Sequence, residues 1–174
     1  PRSTLFPYTT LFRSQLIDEN VTLAITSFKQ QGFIPKIIKD FDLEIPKILV
    51  YSQGLGRVFL NIINNACYVL HQKRTTVGES FIAEIHICTR KTIDNHIEIV
   101  IRDNGPGISE ELRKKIFDPF FTTKPAGSGT GLGLSLCHDI ITRQHHGTLT
   151  VTSEVGQYAE FAITLPIEEQ LMTG

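Results

Sequence analysis

An acid, two amides and two glycine-rich turns are the residues of this chain whose types and spacing could do chemistry. Asp103 closes an alternating segment and runs directly into Asn104-Gly105-Pro106-Gly107-Ile108. Further on, Gly127-Ser128-Gly129-Thr130-Gly131-Leu132-Gly133-Leu134 leads into a helical pattern. A carboxylate can accept a hydrogen bond from a base amine, and glycines let backbone N–H groups approach phosphates without side chains in the way. Together they suggest a nucleotide pocket. The glycine run alone says little, because a flexible surface linker would look the same. Its glycines alternate, so it is neither the dinucleotide fingerprint G-x-G-x-x-G nor a P-loop. The V-A-I-K, H-R-D and D-F-G set of the protein kinases is also missing.

The elements that must position these groups can be read from periodicity. Gln53 to about Gln72 reads as a helix, with Leu55, Val58, Phe59, Ile62, Ile63, Ala66, Val69 and Leu70 in one apolar stripe. At about 100° per residue, Asn61 and Asn65 lie together on a shoulder of that stripe beside Arg57 and Tyr68, while Asn64 points nearly the opposite way. Amides are poor helix formers. They are either surface amides with local hydrogen bonds or the lining of a ligand site with an oxygen available to a hard cation. Phe81–Arg90 and Asn95–Arg102 read as a hairpin turning near residues 91–94. Ile97, Ile99 and Ile101 share a face, and Asp103 continues their register, so an acid leaves the sheet pointing inward and requires a partner.

Before these elements, residues 16–31 have a helical pattern that Gly32 would cap, and β-like pieces follow around Pro35 and Pro46, the second at residues 47–51. Lys73 to Ser80 is polar and reads as a loop. Ser109 with Glu110-Glu111 is a helix start with a cap and an acidic first turn, the helix ending near Ile116. Phe117 to Pro125 and the glycine run read as a partly mobile lid. A helix follows Gly131, and Thr148–Ser153 with Glu160–Leu165 form a last strand pair before a frayed tail from Pro166.

Composition bounds the remaining possibilities. A chain of 174 residues with 41% hydrophobic and 20% charged residues suits one buried core. A net charge of −1 gives no electrostatic pull toward nucleic acid or anionic lipid. No apolar run reaches the length of a membrane span. Cys67, Cys88 and Cys137 have no metal-ligand spacing and read as reduced core thiols of a cytoplasmic domain. The adjacent His145-His146 reads as a loop or helix end rather than a helical metal pair. Residues 1–14 (PRSTLFPYTTLFRS) have neither helical period nor signal-peptide core. They resemble a translated sequencing-adapter fragment and are expected to be a foreign leader, a genuine extended arm being the alternative.

Four stretches stand in the order of a known set: Asn61-Ile62-Ile63-Asn64-Asn65-Ala66, Asp103 to Ile108, Phe117 to Lys124, and Gly129 to Leu134. They resemble the N box, first glycine box, F box and second glycine box of the histidine-kinase ATP-binding domain, of the superfamily shared with DNA gyrase, the ninety-kilodalton heat-shock chaperone and MutL. The resemblance covers about residues 16–166. It implies an α/β two-layer sandwich, a mixed sheet with helices on one face, over residues 36–167. Residues 15–35 would connect to a missing dimerisation region, and residues 168–174 would form a tail.

The resemblance also implies roles. Asp103 would accept from the adenine amine, with Gly105, Gly107 and Ile108 around the base. Asn65 would be the Mg²⁺ ligand, a fitting donor because magnesium takes few protein ligands beside phosphate oxygens. Asn61 would sit beside the metal, and Lys124 would reach the phosphates from the lid; Asn61, Asn65 and Lys124 form the catalytic set. Gly129, Thr130, Gly131, Leu132, Gly133 and Leu134 would contact the nucleotide at the helix start. Phe120 would join that contact and, with Phe121, anchor the lid.

The chain departs from the family in four places. Gyrase and the chaperone carry a glutamate where Asn61 stands, so phosphoryl transfer is expected over hydrolysis. Tyr68 replaces a lysine common in the kinases, which puts a phosphate contact from that position in doubt. The late G-x-G-T-x-F box reads Gly156-Gln157-Tyr158-Ala159-Glu160-Phe161, without its second glycine and threonine. The family's histidine-bearing hairpin would precede Gln15, and none of the six histidines has its context. The expected function is therefore binding of ATP and Mg²⁺ and donation of the γ-phosphate to a histidine on a separate phosphoacceptor hairpin, with a response regulator downstream. A non-catalytic ATP-binding regulatory module is the alternative, and an ATP hydrolase stands third.

Overall fold

The computed structural model describes residues 9–11, 14–46, 48–125, 127 and 129–167. A five-stranded mixed sheet carries the domain, with strand order β2-β4-β5-β7-β6. These strands are β2 (Lys36–Phe41), β4 (Glu84–Lys91), β5 (His96–Asp103), β6 (Thr148–Glu154) and β7 (Tyr158–Pro166). β2 joins β4 in parallel, and the other pairings are antiparallel. Strict alternation decides which side is covered. Ile85, Ile87, Ile97, Ile99, Ile101, Ile163 and Leu165 are buried on one face, while residues between them on β4 and β5, such as His86 and Arg102, face solvent.

The helices lie on the apolar face. α1 (Ser14–Lys29) packs through Ile17, Val21 and Ala24, and α2 (Ser52–Val77) through Leu55, Val58, Phe59, Ile62, Ile63, Ala66 and Leu70. The short α3 (Glu110–Arg113) starts at Ser109, whose hydroxyl accepts the Leu112 N–H as expected of a cap. α4 (Gly133–Asp139) continues into one π-helical turn at Ile140–Gln144. This two-layer sandwich agrees with the expected fold class.

A smaller ladder pairs β1 (Thr9–Leu11) antiparallel with β3 (Leu49–Tyr51). The rest of the expected leader, residues 1–8 and 12–13, lies outside the described residues, as does the expected tail at 168–174. Pro166 itself belongs to β7, opposite His96, rather than to a tail. β7 also begins earlier than its apolar residues suggested, because Glu154 pairs with Tyr158 across a tight turn.

The largest difference from the sequence reading is at the end of α2. The helix runs through Val77, so most of the polar stretch read as a loop is helical. Thr75 and Thr76 turn their hydroxyls back onto the carbonyls of His71 and Gln72, which leaves them neutral toward the helix. Gly78, with φ +103°, ends it. Of the three cysteines, Cys67 and Cys137 are buried, whereas Cys88 is only half-buried on the open sheet face and is no core thiol.

Candidate functional site

The site residues gather at two places along α2. At the first, β5 delivers Asp103 with 4% of its surface exposed, on the buried face with the isoleucines. Its Oδ1 accepts the Gly105 N–H at 2.8 Å. Burial pushes the carboxyl up to about 6, while that N–H and the charge of Lys73 pull it back down. The turn beyond is held from several sides. Asn104 Oδ1 accepts the Glu84 N–H and its amide donates to the Ile82 carbonyl, both at 2.8 Å. The Ile108 N–H donates to Ser153 Oγ at 2.7 Å, and Gly156 N donates to the Pro106 carbonyl at 2.7 Å. Gly107 has φ +69°, and a Cβ there would collide with the main chain of Glu154, so only glycine fits between the turn and the β6–β7 hairpin.

At the second place, the shoulder of α2 meets the lid. Lys124 Nζ donates to Asn65 Oδ1 at 3.0 Å and sits 4.4 Å from the centroid of the Tyr68 ring. Burial lowers the lysine's pKa. Gly129 lies against the Lys124 stem; a Cβ on it would come within 3.1 Å of that side chain. Asn61 Nδ2 reaches the Gly133 carbonyl at 3.5 Å, bringing the first residue of α4 beside the amide pair. Thr130 Oγ1 accepts the Leu132 N–H at 3.4 Å, and Leu134 packs against the core. Gly131, with φ +69°, fits against the main chain of Phe120, itself at φ +67°.

Of the two phenylalanines expected to anchor the lid, Phe121 packs against the core and Phe120 does not, its ring being 75% exposed. The strained backbone of Phe120 turns its side chain outward. Leu132 is also largely outside, at 40% exposure. Asp103, Gly105, Gly107 and Ile108 thus form one group, and Asn61, Asn65, Lys124 and residues 129–134 the other.

The donor set of the second group suits a hard cation. Asn65 presents an amide oxygen that already faces an ammonium group, and Asn61 stands one helical turn away on the same shoulder. Among the described residues there is no cluster of three or more His, Cys, Asp or Glu side chains able to hold a metal. Any cation here would share amide oxygens with the ligand's own oxygens.

The sequence reading missed Lys73, placed in a supposed loop. Its ammonium donates to the carbonyls of Asn104 and Gly105 at 2.8 Å each and of Gly156 at 3.1 Å. A signal for it existed: position 73 follows Ala66 and Leu70 at the spacing of the apolar stripe, so it faces the sheet. Ser153 was missed too, and a hydroxyl on a strand gives no such signal. A concavity of about 490 Å³ lies on the open sheet face, lined by Asp103 and Asn104 together with His86, Cys88, Arg102 and Tyr158 among others. Asn61, Asn65 and Lys124 do not line it.

Comparison with known proteins agrees with this fold. Residues 51–169 match the family described as histidine kinase-, DNA gyrase B- and HSP90-like ATPases. The chain is 39% identical over 155 residues to the signal transduction histidine-protein kinase AtoS of Escherichia coli, covering 89% of this chain and 23% of that protein. It is 31% identical over 166 residues to sporulation kinase E of Bacillus subtilis, covering 94% of this chain and 21% of that protein. The chain thus spans less than a quarter of the length of these two relatives. The catalytic domain of histidine kinase ThkA superposes with a TM-score of 0.73 at 28% identity, covering 91% of this chain and 97% of that one. Among the described residues no helix is long and apolar enough to cross a membrane. With residues 51–169 matched by the family model, and with these relatives and this solved structure similar to it, this chain belongs to the histidine kinase-, DNA gyrase B- and HSP90-like ATPase family, as an ATP-binding catalytic domain of the sensor-histidine-kinase kind.

Proposed function

We propose that this domain binds ATP with Mg²⁺ between α2, the Asp103 turn and the lid, and donates the γ-phosphate to a histidine on a separate phosphoacceptor hairpin. The observation that carries this reading is the meeting of Lys124 with Asn65, a lid cation on a helix amide, with asparagine rather than an acid at position 61. Asp103 accepts from the adenine amine. Asn65 gives its amide oxygen to the metal, and Lys124 leaves that oxygen for the phosphates as nucleotide enters. Bound magnesium supplies charge neutralisation on the phosphate oxygens.

Without a carboxylate at position 61 to activate water, the chain's residues position and neutralise rather than hydrolyse. The bond from the γ-phosphorus to the bridging oxygen breaks, one to an imidazole nitrogen forms, and ADP leaves. The ATP-binding unit occupies residues 36–167 and works in the cytoplasm, and the phosphohistidine formed on the separate hairpin serves a response-regulator receiver domain.

The test supplies an accepting hairpin in trans with ATP labelled on the γ-phosphate. Acid-labile, alkali-stable label on the hairpin, lost in Asn65→Ala, is the expected result. ATP binding with no label transferred would favour a regulatory module whose lid orders on nucleotide. Steady phosphate release without an acceptor, abolished by Asn65→Ala, would make it a hydrolase.

A further inference from the structure

Lys73 has an environment that its place on a helix surface does not require. Its ammonium donates to three carbonyls, those of Asn104, Gly105 and Gly156, and lies 4.8 Å from the centroid of the Phe81 ring. Three donors and three acceptors leave none of its protons unassigned. Two of those carbonyls belong to the turn immediately after Asp103, and the third to the hairpin on which Gly107 rests. Among the described residues Lys73 has no ion-pair partner. Its charge is therefore not consumed by a salt bridge and acts on the turn and on the acid behind it.

We propose that Lys73 is a positioning residue for base recognition: its ammonium ties the Asn104–Gly105 turn to the β6–β7 hairpin and, by its charge, holds the buried Asp103 carboxylate ionised and aimed at the base. The inference deepens the reading of Asp103 as the acceptor of the adenine amine and rests on it. Physically, a carboxylate this deep in the core is driven toward its neutral form, and a neutral carboxyl would lose much of its attraction for the amine. The charged or titratable groups facing Asp103 are Lys73 and Cys67, both from α2. The Cys67 thiol is pushed up to about 12 by burial and by Asp103, so it stays neutral and gives no counter-charge. The register partners Ile85 on β4 and Ala159 on β7 carry no charge. Lys73 is the one cation among these groups.

The experiment uses the full 174-residue chain. The side-chain carboxyl ¹³C resonance of Asp103 is followed by NMR against pH without nucleotide, and ADP binding is measured by calorimetry at pH 6 and at pH 8 in EDTA. The variants are Lys73→Met, Lys73→Gln and Lys73→Arg. In Lys73→Met and Lys73→Gln the Asp103 midpoint rises by about one unit and ADP binds about fivefold more weakly at pH 6, a difference that closes by pH 8, while Lys73→Arg keeps the wild-type midpoint. If neither midpoint nor affinity moves, the proposal is overturned. Weaker binding with an unmoved midpoint overturns it as well, since that is a mechanical clamp without charge coupling. Lys73→Gln keeps a donor for the turn, so it reports even where Lys73→Met does not fold. If wild-type protein binds no ADP while the midpoint still shifts, the coupling stands and the adenine reading of Asp103 fails.

Discussion

The base end and the lid end of the site lie on the same helix but are held very differently. At the base end, Asp103, Asn104, Gly105, Pro106 and Ile108 each make hydrogen bonds to fixed backbone or to Ser153, and Lys73 adds three more. At the lid end, the links to α2 among the described residues are Lys124 on Asn65 and over the Tyr68 ring, with a 3.5 Å contact from Asn61 to Gly133 beside them and Phe121 packed against the core. A preorganised acceptor binds its ligand at little entropic cost, whereas a loosely tied loop can close only when ligand contacts repay its ordering. On the proposed reading, adenine recognition is built into the sheet, and the phosphate chemistry waits for the nucleotide to assemble it.

The largest expected effect breaks the base end. Asp103→Asn turns an amide toward the adenine amine and weakens ATP binding by about 10- to 100-fold, measured by calorimetry. The same change stabilises the nucleotide-free protein at pH 8. Because burial raises the folded-state pKa to about 6 from an ordinary 3.8, the group's contribution to stability is full below the lower value and is lost as pH rises through the upper one. Asparagine escapes that loss, so unfolding in urea at pH 8 shows a gain of about 1 to 3 kcal/mol that disappears near pH 4.

Next in size is the lid end. Asn65→Ala removes the oxygen offered to the cation, and the affinity for ATP in magnesium falls about tenfold, while binding of ADP in EDTA is unchanged. A loss that is equal with and without magnesium would show that the two ends are not separable.

A matched pair of glycine substitutions sharpens the comparison further. Gly107→Ala places a side chain at φ +69° against the Glu154 main chain and destabilises the fold by about 1 to 3 kcal/mol in urea melts. Gly131→Ala meets the same φ against the main chain of Phe120, so it too carries the left-handed-backbone cost of about 1 kcal/mol, but the neighbour it presses on lies in a loop rather than in the sheet hairpin and gives way more readily. The smallest effect is in hydrogen exchange. The Gly105 and Ile108 amides are protected before nucleotide is added, and ATP slows the amides of residues 121–124 by a larger factor.

The same contrast explains what could be read from the chain. Asp103 was legible because strand alternation fixes its face once Ile97, Ile99 and Ile101 are assigned, and the structure buries all four together. The amide shoulder of α2 was legible for the equivalent helical reason. Lys73 was legible only in its spacing from Ala66 and Leu70, because polar side chains in the last turns of a helix look like a loop until the carbonyls they serve are brought up from residues 104, 105 and 156. The outward turn of Phe120 was not legible, since it follows from a left-handed backbone that sequence does not encode outside glycine and asparagine. Tyr68 was read as a doubtful phosphate contact; as the seat of the Lys124 ammonium it depends on where the lid comes to rest.

The continuity of α2 has a mechanical consequence. In the proposed complex, Asn65 and Lys73 would serve opposite ends of one ligand from a single unbroken helix. At 1.5 Å per residue the eight steps between them set a fixed gauge of about 12 Å along the axis. The helix therefore acts as a caliper whose jaws are the metal-facing amide and the base-turn ammonium. Inserting one residue between them would open the jaws by only about 1.5 Å but twist them by about 100° against each other. The site would then fail by misalignment, with every chemical group still present.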